Sequence, residues 1–153
     1  MLSLTLAAVL AALAQAPVQD APAPGGRIEV LQSRFGTLGV DAEGRDILTP
    51  TAVVPLKTGQ GYGWEVLVRT ERPSLKWRET FVLPKPASTW GVTDAGVAVS
   101  EDARTAITER EVSAATGVIS NAWQVADGDP AGHYTIRVEI EDLPEITFEF
   151  EVK

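Results

Sequence analysis

The sequence predicts an all-β fold, an antiparallel sandwich of about 7–9 strands. Three observations carry that expectation. Large apolar side chains recur at every second position in several segments, which is the period of a strand with one buried face. Glycine and proline clusters separate those segments at short intervals. No stretch between them carries a sustained helical stripe, as expected for a sandwich rather than an α/β fold.

The last segments are the clearest. Tyr134, Ile136, Val138 and Ile140 alternate with Thr135, Arg137 and Glu139. Ile146, Phe148, Phe150 and Val152 alternate with Thr147, Glu149 and Glu151. The linker between them has hairpin length. A symmetric closure would set Ile140 against Ile146, Val138 against Phe148, Ile136 against Phe150 and Arg137 against Glu149. A one-residue slip would expose the large apolar side chains, so the choice of face is strongly specified.

Upstream, Leu75, Trp77, Phe81 and Leu83 share a parity, with Glu79 the exception. Trp64, Val66 and Val68 share another, with Tyr62 leading in, and Ile119, Trp123 and Val125 share a third. Ile28 and Val30 open the first strand. A β-prone run over residues 46–54 is interrupted by Pro50. Residues 100–115 carry alanines and glutamates that suit a helix, but their threonines and neighbouring strands favour β structure. Turn signals fall at Gly59-Gln60-Gly61, Arg72-Pro73-Ser74, Pro84-Lys85-Pro86 and Asp127-Gly128-Asp129-Pro130.

The 153 residues suffice for one domain, with 44% apolar and 22% charged residues. Residues 27–153 are assigned to it. Residues 1–16 read as a signal peptide. Leu2 to Leu13 is apolar or small apart from Ser3 and Thr5, and too short to span a bilayer comfortably. Ala12-Leu13-Ala14 and Ala14-Gln15-Ala16 both have the small-x-small form of a cleavage site, the second followed by Pro17. Residues 17–26, PVQDAPAPGG, read as an extended tether. The expected location is therefore periplasmic or secreted, with no transmembrane segment in the mature chain.

Composition removes several chemistries. There is no cysteine, so disulfides and thiol nucleophiles are excluded, and one histidine excludes a multi-histidine metal site within the chain. The formal net charge of −8 repels phosphate backbones, so nucleic acid is not an expected partner. His133 lies near Asp127 and Asp129, but no Gly-x-Ser-x-Gly elbow accompanies it, and it reads as a turn-edge residue. Asp127-Gly128-Asp129 lacks the regular acids of a calcium loop and reads as a tight turn. Gly59-Gln60-Gly61-Tyr62-Gly63 lacks the lysine of a phosphate cradle and precedes a strand, so it reads as a loop or bulge. Acids crowd the last hairpin (Glu139, Glu141, Asp142, Glu145, Glu149 and Glu151) and read mainly as a wet, edge-protecting face. No catalytic or metal-binding residue, and no cofactor, is assigned.

Asp129-Pro130-Ala131-Gly132-His133-Tyr134-Thr135-Ile136 resembles the corner of an immunoglobulin-like sandwich, in which a tyrosine bonds back to upstream backbone. Ile136 stands where antibody domains place a cysteine. Trp123, about ten residues earlier, resembles the buried tryptophan of bacterial extracytoplasmic sandwiches. The stretch from Trp123 to the end resembles small secreted bacterial immunoglobulin-like proteins of unassigned function and, more weakly, the sandwich-type proteinase inhibitors. The resemblance implies structural roles for Tyr134 and Trp123.

The expected function is a non-enzymatic extracytoplasmic interaction module, its partner a protein or an envelope polymer. The candidate contact residues are Trp90, Tyr62, Gly61 and Lys85. Trp90 follows two prolines in a small, polar context, where a tryptophan could anchor a partner. A proteinase inhibitor presenting residues 83–90, or a carbohydrate-binding module stacking sugars on Trp90 and Tyr62, are the alternatives.

Overall fold

A computed structural model describes residues 26–90 and 96–153. The expected signal peptide and nearly all of the expected tether lie outside the described residues. The described chain forms ten strands in two sheets: β1 (Ile28–Val40), β2 (Asp46–Pro50), β3 (Val53–Val54), β4 (Gly61–Thr70), β5 (Ser74–Val82), β6 (Val97–Val99), β7 (Thr105–Ser113), β8 (Val118–Gln124), β9 (Gly132–Ile140) and β10 (Ile146–Val152). A four-stranded sheet has the order β2-β1-β4-β8 and a six-stranded sheet the order β3-β10-β9-β5-β7-β6. Among the described residues no helix is long and apolar enough to cross a membrane. Residues 105–113 are a strand, as their threonines suggested.

The period-two apolar positions build the layer between the sheets. Phe35 of β1 stacks on Phe150 of β10 with ring centroids 4.3 Å apart. Tyr62 of β4 meets Phe81 of β5 edge-on at 6.3 Å. Trp64 of β4 stands perpendicular to Trp77 of β5 at 5.3 Å. Each pair joins one sheet to the other, and edge-on geometries suit aromatic quadrupoles. All of these rings are buried.

Pro50 marks the point where the chain changes sheets. β2 pairs with β1, and β3 then pairs in parallel with β10. Proline has no N–H for a ladder, so pairing ends there. The Thr51 hydroxyl donates to the Val53 carbonyl at 3.1 Å and accepts from the Val53 N–H at 3.0 Å, turning the chain across the edge of the sandwich.

The final hairpin keeps the expected face but not the expected register. Val138 lies opposite Ile146, Ile136 opposite Phe148 and Tyr134 opposite Phe150. Arg137 faces Thr147 rather than Glu149. The shift is two residues, so the same side chains stay inward. Its cause is on both sides of the loop. The end of β9 is held by β5, with Ile140 paired to Trp77 and the Glu141 N–H donating to the Lys76 carbonyl at 3.0 Å. On the other side Pro144 cannot donate to a ladder, and the Leu143 N–H turns back to the Ile140 carbonyl at 3.0 Å. Pairing therefore starts later than symmetric closure requires.

The Tyr134 hydroxyl donates to the Pro130 carbonyl at 2.6 Å, and the ring is buried against Phe81 and Phe150. Ile136 is fully buried where antibody domains carry their cysteine.

Candidate functional site

The sheets differ in width, and that difference creates the main cleft. Glu79 of β5 bonds to Asn121 and Trp123 of β8, so β8, the edge of the smaller sheet, lies over β5. β7 and β6 extend beyond it. Their inner face is left without an opposing strand among the described residues. The result is a cleft of roughly 900 Å³ whose walls include Trp90, Val97, Thr108, Asn121, Trp123 and Gln124.

Two indoles shape its aromatic wall. Trp90 and Trp123 are both half-buried, with centroids 6.1 Å apart and planes at 70°. Each also contacts Phe81, at 5.9 Å and 5.0 Å respectively, which roots them in the core. The Trp90 indole N–H donates to the Ala103 carbonyl at 3.0 Å. The position of Trp90 is therefore fixed by a ring contact and a hydrogen bond, while part of the ring stays open to the cleft. The Thr108 hydroxyl, also at the wall, is buried and has no hydrogen-bond partner.

Behind the wall sits the most unusual polar group of the fold. Glu79, the residue that broke the apolar parity of β5, points inward and is 0% exposed. Its carboxylate accepts hydrogen bonds from the Trp64 indole N–H, from Trp123 Nε1 at 2.8 Å and from Asn121 Nδ2 at 3.1 Å. Asn121 occupies the one polar position in the inward parity of β8, between Ile119 and Trp123. Two polar interruptions in two apolar runs thus face each other across the sandwich. Burial is the main cause of a carboxyl pKa above the ordinary glutamate range, and the three donors oppose it. The constellation is an inter-sheet tie: an acceptor on one sheet satisfied by three donors on the other.

The predicted contact residues separate. Trp90 lines the cleft, and Gly61 lies at its far wall, against Leu38. Lys85 is exposed on the loop of residues 83–90, away from the cleft lining. Tyr62 is 2% exposed and enclosed by Phe35, Phe81 and Phe150, so it has no free face for a ligand. The expected Trp90–Tyr62 platform is replaced by the Trp90–Trp123 corner. Trp123 itself is half-buried rather than fully enclosed, and among the described residues no strand covers β8 on its outer edge. Thr108 and Asn121 were not singled out from the sequence. The cue for Asn121 was a polar residue inside an otherwise apolar parity.

The proline-flanked loop is tied down. The Leu83 N–H donates to Arg104 O and the Ala87 N–H to Ala103 O, at 2.8 and 3.1 Å. Leu83 and Ala87 are buried. His133 is exposed. Asp129 Oδ2 accepts the Ala126 N–H at 2.8 Å, which closes the turn around Gly128, and burial raises its pKa. Among the described residues no three His, Asp or Glu side chains converge as a metal site.

A second groove, on the outer face of the six-stranded sheet, carries Arg72, Lys76, Arg78, Glu109, Glu111 and Glu139. Two of its ion pairs are Arg78 with Glu109 at 3.1 Å and Arg72 with Glu141 at 3.7 Å. The exposed Arg78–Glu109 pair contributes little.

Comparison with known proteins agrees with the architecture. An immunoglobulin-like protein from Pseudomonas aeruginosa superimposes with a TM-score of 0.54 at 14% identity, covering 85% of this chain and 99% of that one. This is a likeness of fold. The PmoD soluble domain from Methylocystis sp. aligns over 81% of this chain and 96% of its own, at 18% identity and a TM-score of 0.38, too low to carry an argument. No curated protein matches the sequence. A family model does match, over residues 33–153, which include every strand from β2 onward and most of β1, so the chain belongs to the PM0630 beta sandwich domain family.

Proposed function

We propose that this chain is a non-enzymatic binding module of the cell envelope whose contact surface is the cleft beside β8. The observation that carries the reading is the pair of half-exposed, rigidly seated indoles, Trp90 and Trp123, at the wall of a roughly 900 Å³ cleft. Anchored tryptophans at a concave surface supply large contact area with little ordering cost. The fold supports this role without supplying a reaction. Glu79 is already engaged by three donors and enclosed, and His133 lies exposed opposite Glu151, outside the cleft lining, so neither is poised as a general acid or base in the cleft. The apolar, uncharged segment at residues 2–13 supports export.

The cleft favours a peptide over a polysaccharide. Ring planes 70° apart form a corner, whereas consecutive sugar rings stack best on a flat platform. The loop of residues 83–90 supports the inhibitor alternative less well, since two of its apolar side chains are turned inward.

Site-specific photo-cross-linking of the full chain in its native envelope tests the proposal. A photoreactive residue at Gln124 or Thr58, on the cleft wall, is expected to capture one protein reproducibly, with capture lost in Trp90→Ala. The same residue at Thr147, on the outer face, is expected to capture nothing in common. Capture from Thr147 alone, or capture indifferent to Trp90→Ala, overturns the cleft as the contact surface. Quenching of tryptophan fluorescence by soluble envelope polysaccharide, with no protein captured, would replace the peptide reading with a carbohydrate one.

A further inference from the structure

The four sheet edges of the fold are not equally protected. β2 is five residues long and carries Asp46 and Pro50; β3 has two residues and β6 has three. Short strands, charges and prolines are the usual devices that stop an edge from recruiting another strand. β8 has none of them. It is seven residues long, reads VISNAWQ, and contains no charge and no proline. It pairs with β4 from Gly61–Gln124 to Leu67–Val118 without a register shift, so no bulge bends it away. Among the described residues it has a strand on one side only.

The open side of β8 is also where the opposing sheet projects. β7 and β6 form a ledge about two strand spacings wide, roughly 10 Å. On its inner face stand Val97 and the buried Thr108 hydroxyl that has no partner. An added strand beside β8 would lie on this ledge, complete the smaller sheet as a fifth strand, and close the cleft.

Resting on the reading of the cleft as a binding site, we infer that β8 is an acceptor edge that takes one extended peptide segment of a partner protein by strand addition. Main-chain bonds to β8 would supply affinity, and alternate side chains would enter the cleft. The segment's inward positions suit β-branched or aromatic residues against Val97, Trp90 and Trp123. Its flanks should be basic rather than acidic, because the chain carries a net charge of −8.

The same geometry argues against other occupants. If a second copy paired antiparallel through its own β8, with both six-stranded sheets on the same side, its β5 would approach to about one strand spacing from this copy's β5. That space already belongs to β7 and β6 of both copies. A lone strand fits, while a second sandwich collides. The chain's own residues 17–25 carry Pro17, Pro22 and Pro24, which remove ladder donors from a short stretch.

The test selects binders to the immobilised full chain from a displayed library of random twelve-residue peptides, then synthesises the best one with single N-methyl groups at each position. Strand addition predicts an alternating profile: methylation at every second residue weakens binding at least tenfold, and at the residues between leaves it within about twofold. Hydrogen exchange of the Ser120 and Ala122 amides, which point away from β4, should slow when the peptide binds, and Val97→Asp should abolish binding. A flat N-methyl profile with binding still lost in Trp90→Ala refutes strand addition but leaves the cleft reading standing. Failure to select any peptide that distinguishes the wild type from Val97→Asp refutes strand addition, and the cross-linking experiment then decides the cleft by itself. Protection of the outward-pointing Ser120 and Ala122 amides in the free chain would overturn the partner: concentration-dependent protection would assign the edge to a second copy, and concentration-independent protection to the chain's own terminus.

Discussion

Replacing Glu79 with alanine should be among the most damaging single changes to this fold, and more damaging in acid than at neutral pH. Three donors lose their acceptor. The Trp64 indole N–H belongs to a side chain with no exposed surface, so its orphaning carries the full desolvation penalty, about 1–3 kcal/mol. Trp123 and Asn121 are half-buried at the cleft wall and can turn toward water, so each loses about 1 kcal/mol. The one methylene lost with the carboxyl adds about 1 kcal/mol of transfer and cavity cost. The sum is about 4–6 kcal/mol with Glu79 uncharged.

The pH dependence follows from linkage. Burial holds the folded pKa of Glu79 above its ordinary value of 4.5. Between the two values the native state binds the extra proton. The stability Glu79 contributes is therefore fully present below the unfolded pKa and declines as pH rises through the folded one. The cost of Glu79→Ala should be largest near pH 4 and smaller near pH 8, because the stability linked to the raised pKa declines as pH rises. Urea unfolding followed by far-UV circular dichroism at both pH values measures it, with Glu149→Gln on the exposed face as control, expected within about 0.5 kcal/mol of wild type. A loss below about 1 kcal/mol at pH 4, or a larger loss at pH 8 than at pH 4, would refute the inter-sheet tie as described.

Tyr134→Phe removes the bond to the Pro130 carbonyl while keeping the ring, and should cost about 1–2 kcal/mol in the same urea assay; an unchanged midpoint would mean the corner is held by packing alone. Gly63→Ala would place a Cβ 2.3 Å from the Asn121 carbonyl, forcing β4 and β8 apart at a cost of about 2–3 kcal/mol. The same variant should hasten amide exchange along β8, and unaltered exchange would show that the strands absorb the methyl group without separating.

The alternation of apolar side chains made the fold class, most strands and the inward face of each legible in the sequence. That information is local: period two follows from the strand backbone itself, whatever the strand packs against. Tyr134 was legible for a similar reason, since its corner closes within four residues. The hairpin register was misplaced by two because it depends on β5 gripping the far end of β9, a contact between residues more than sixty positions apart. Glu79 read as an interruption in an apolar run, and Tyr62 as a ring free to stack, because a sequence shows that a residue is polar or aromatic without showing what faces it.

The cleft was outside the reach of local patterns altogether. It exists because six strands face four, and strand order is set by which edges find each other after the chain has crossed between sheets at Pro50. The sequence by itself determined an acidic, cysteine-free β-sandwich, since composition and periodicity suffice for that. The tertiary structure decided that Glu79 meets Trp64, Trp123 and Asn121, that Trp90 stands beside Trp123, and that among the described residues β8 keeps an open edge. Each of these is a contact, or a missing contact, between segments distant along the chain, and only the packing of one sheet on the other brings such segments together.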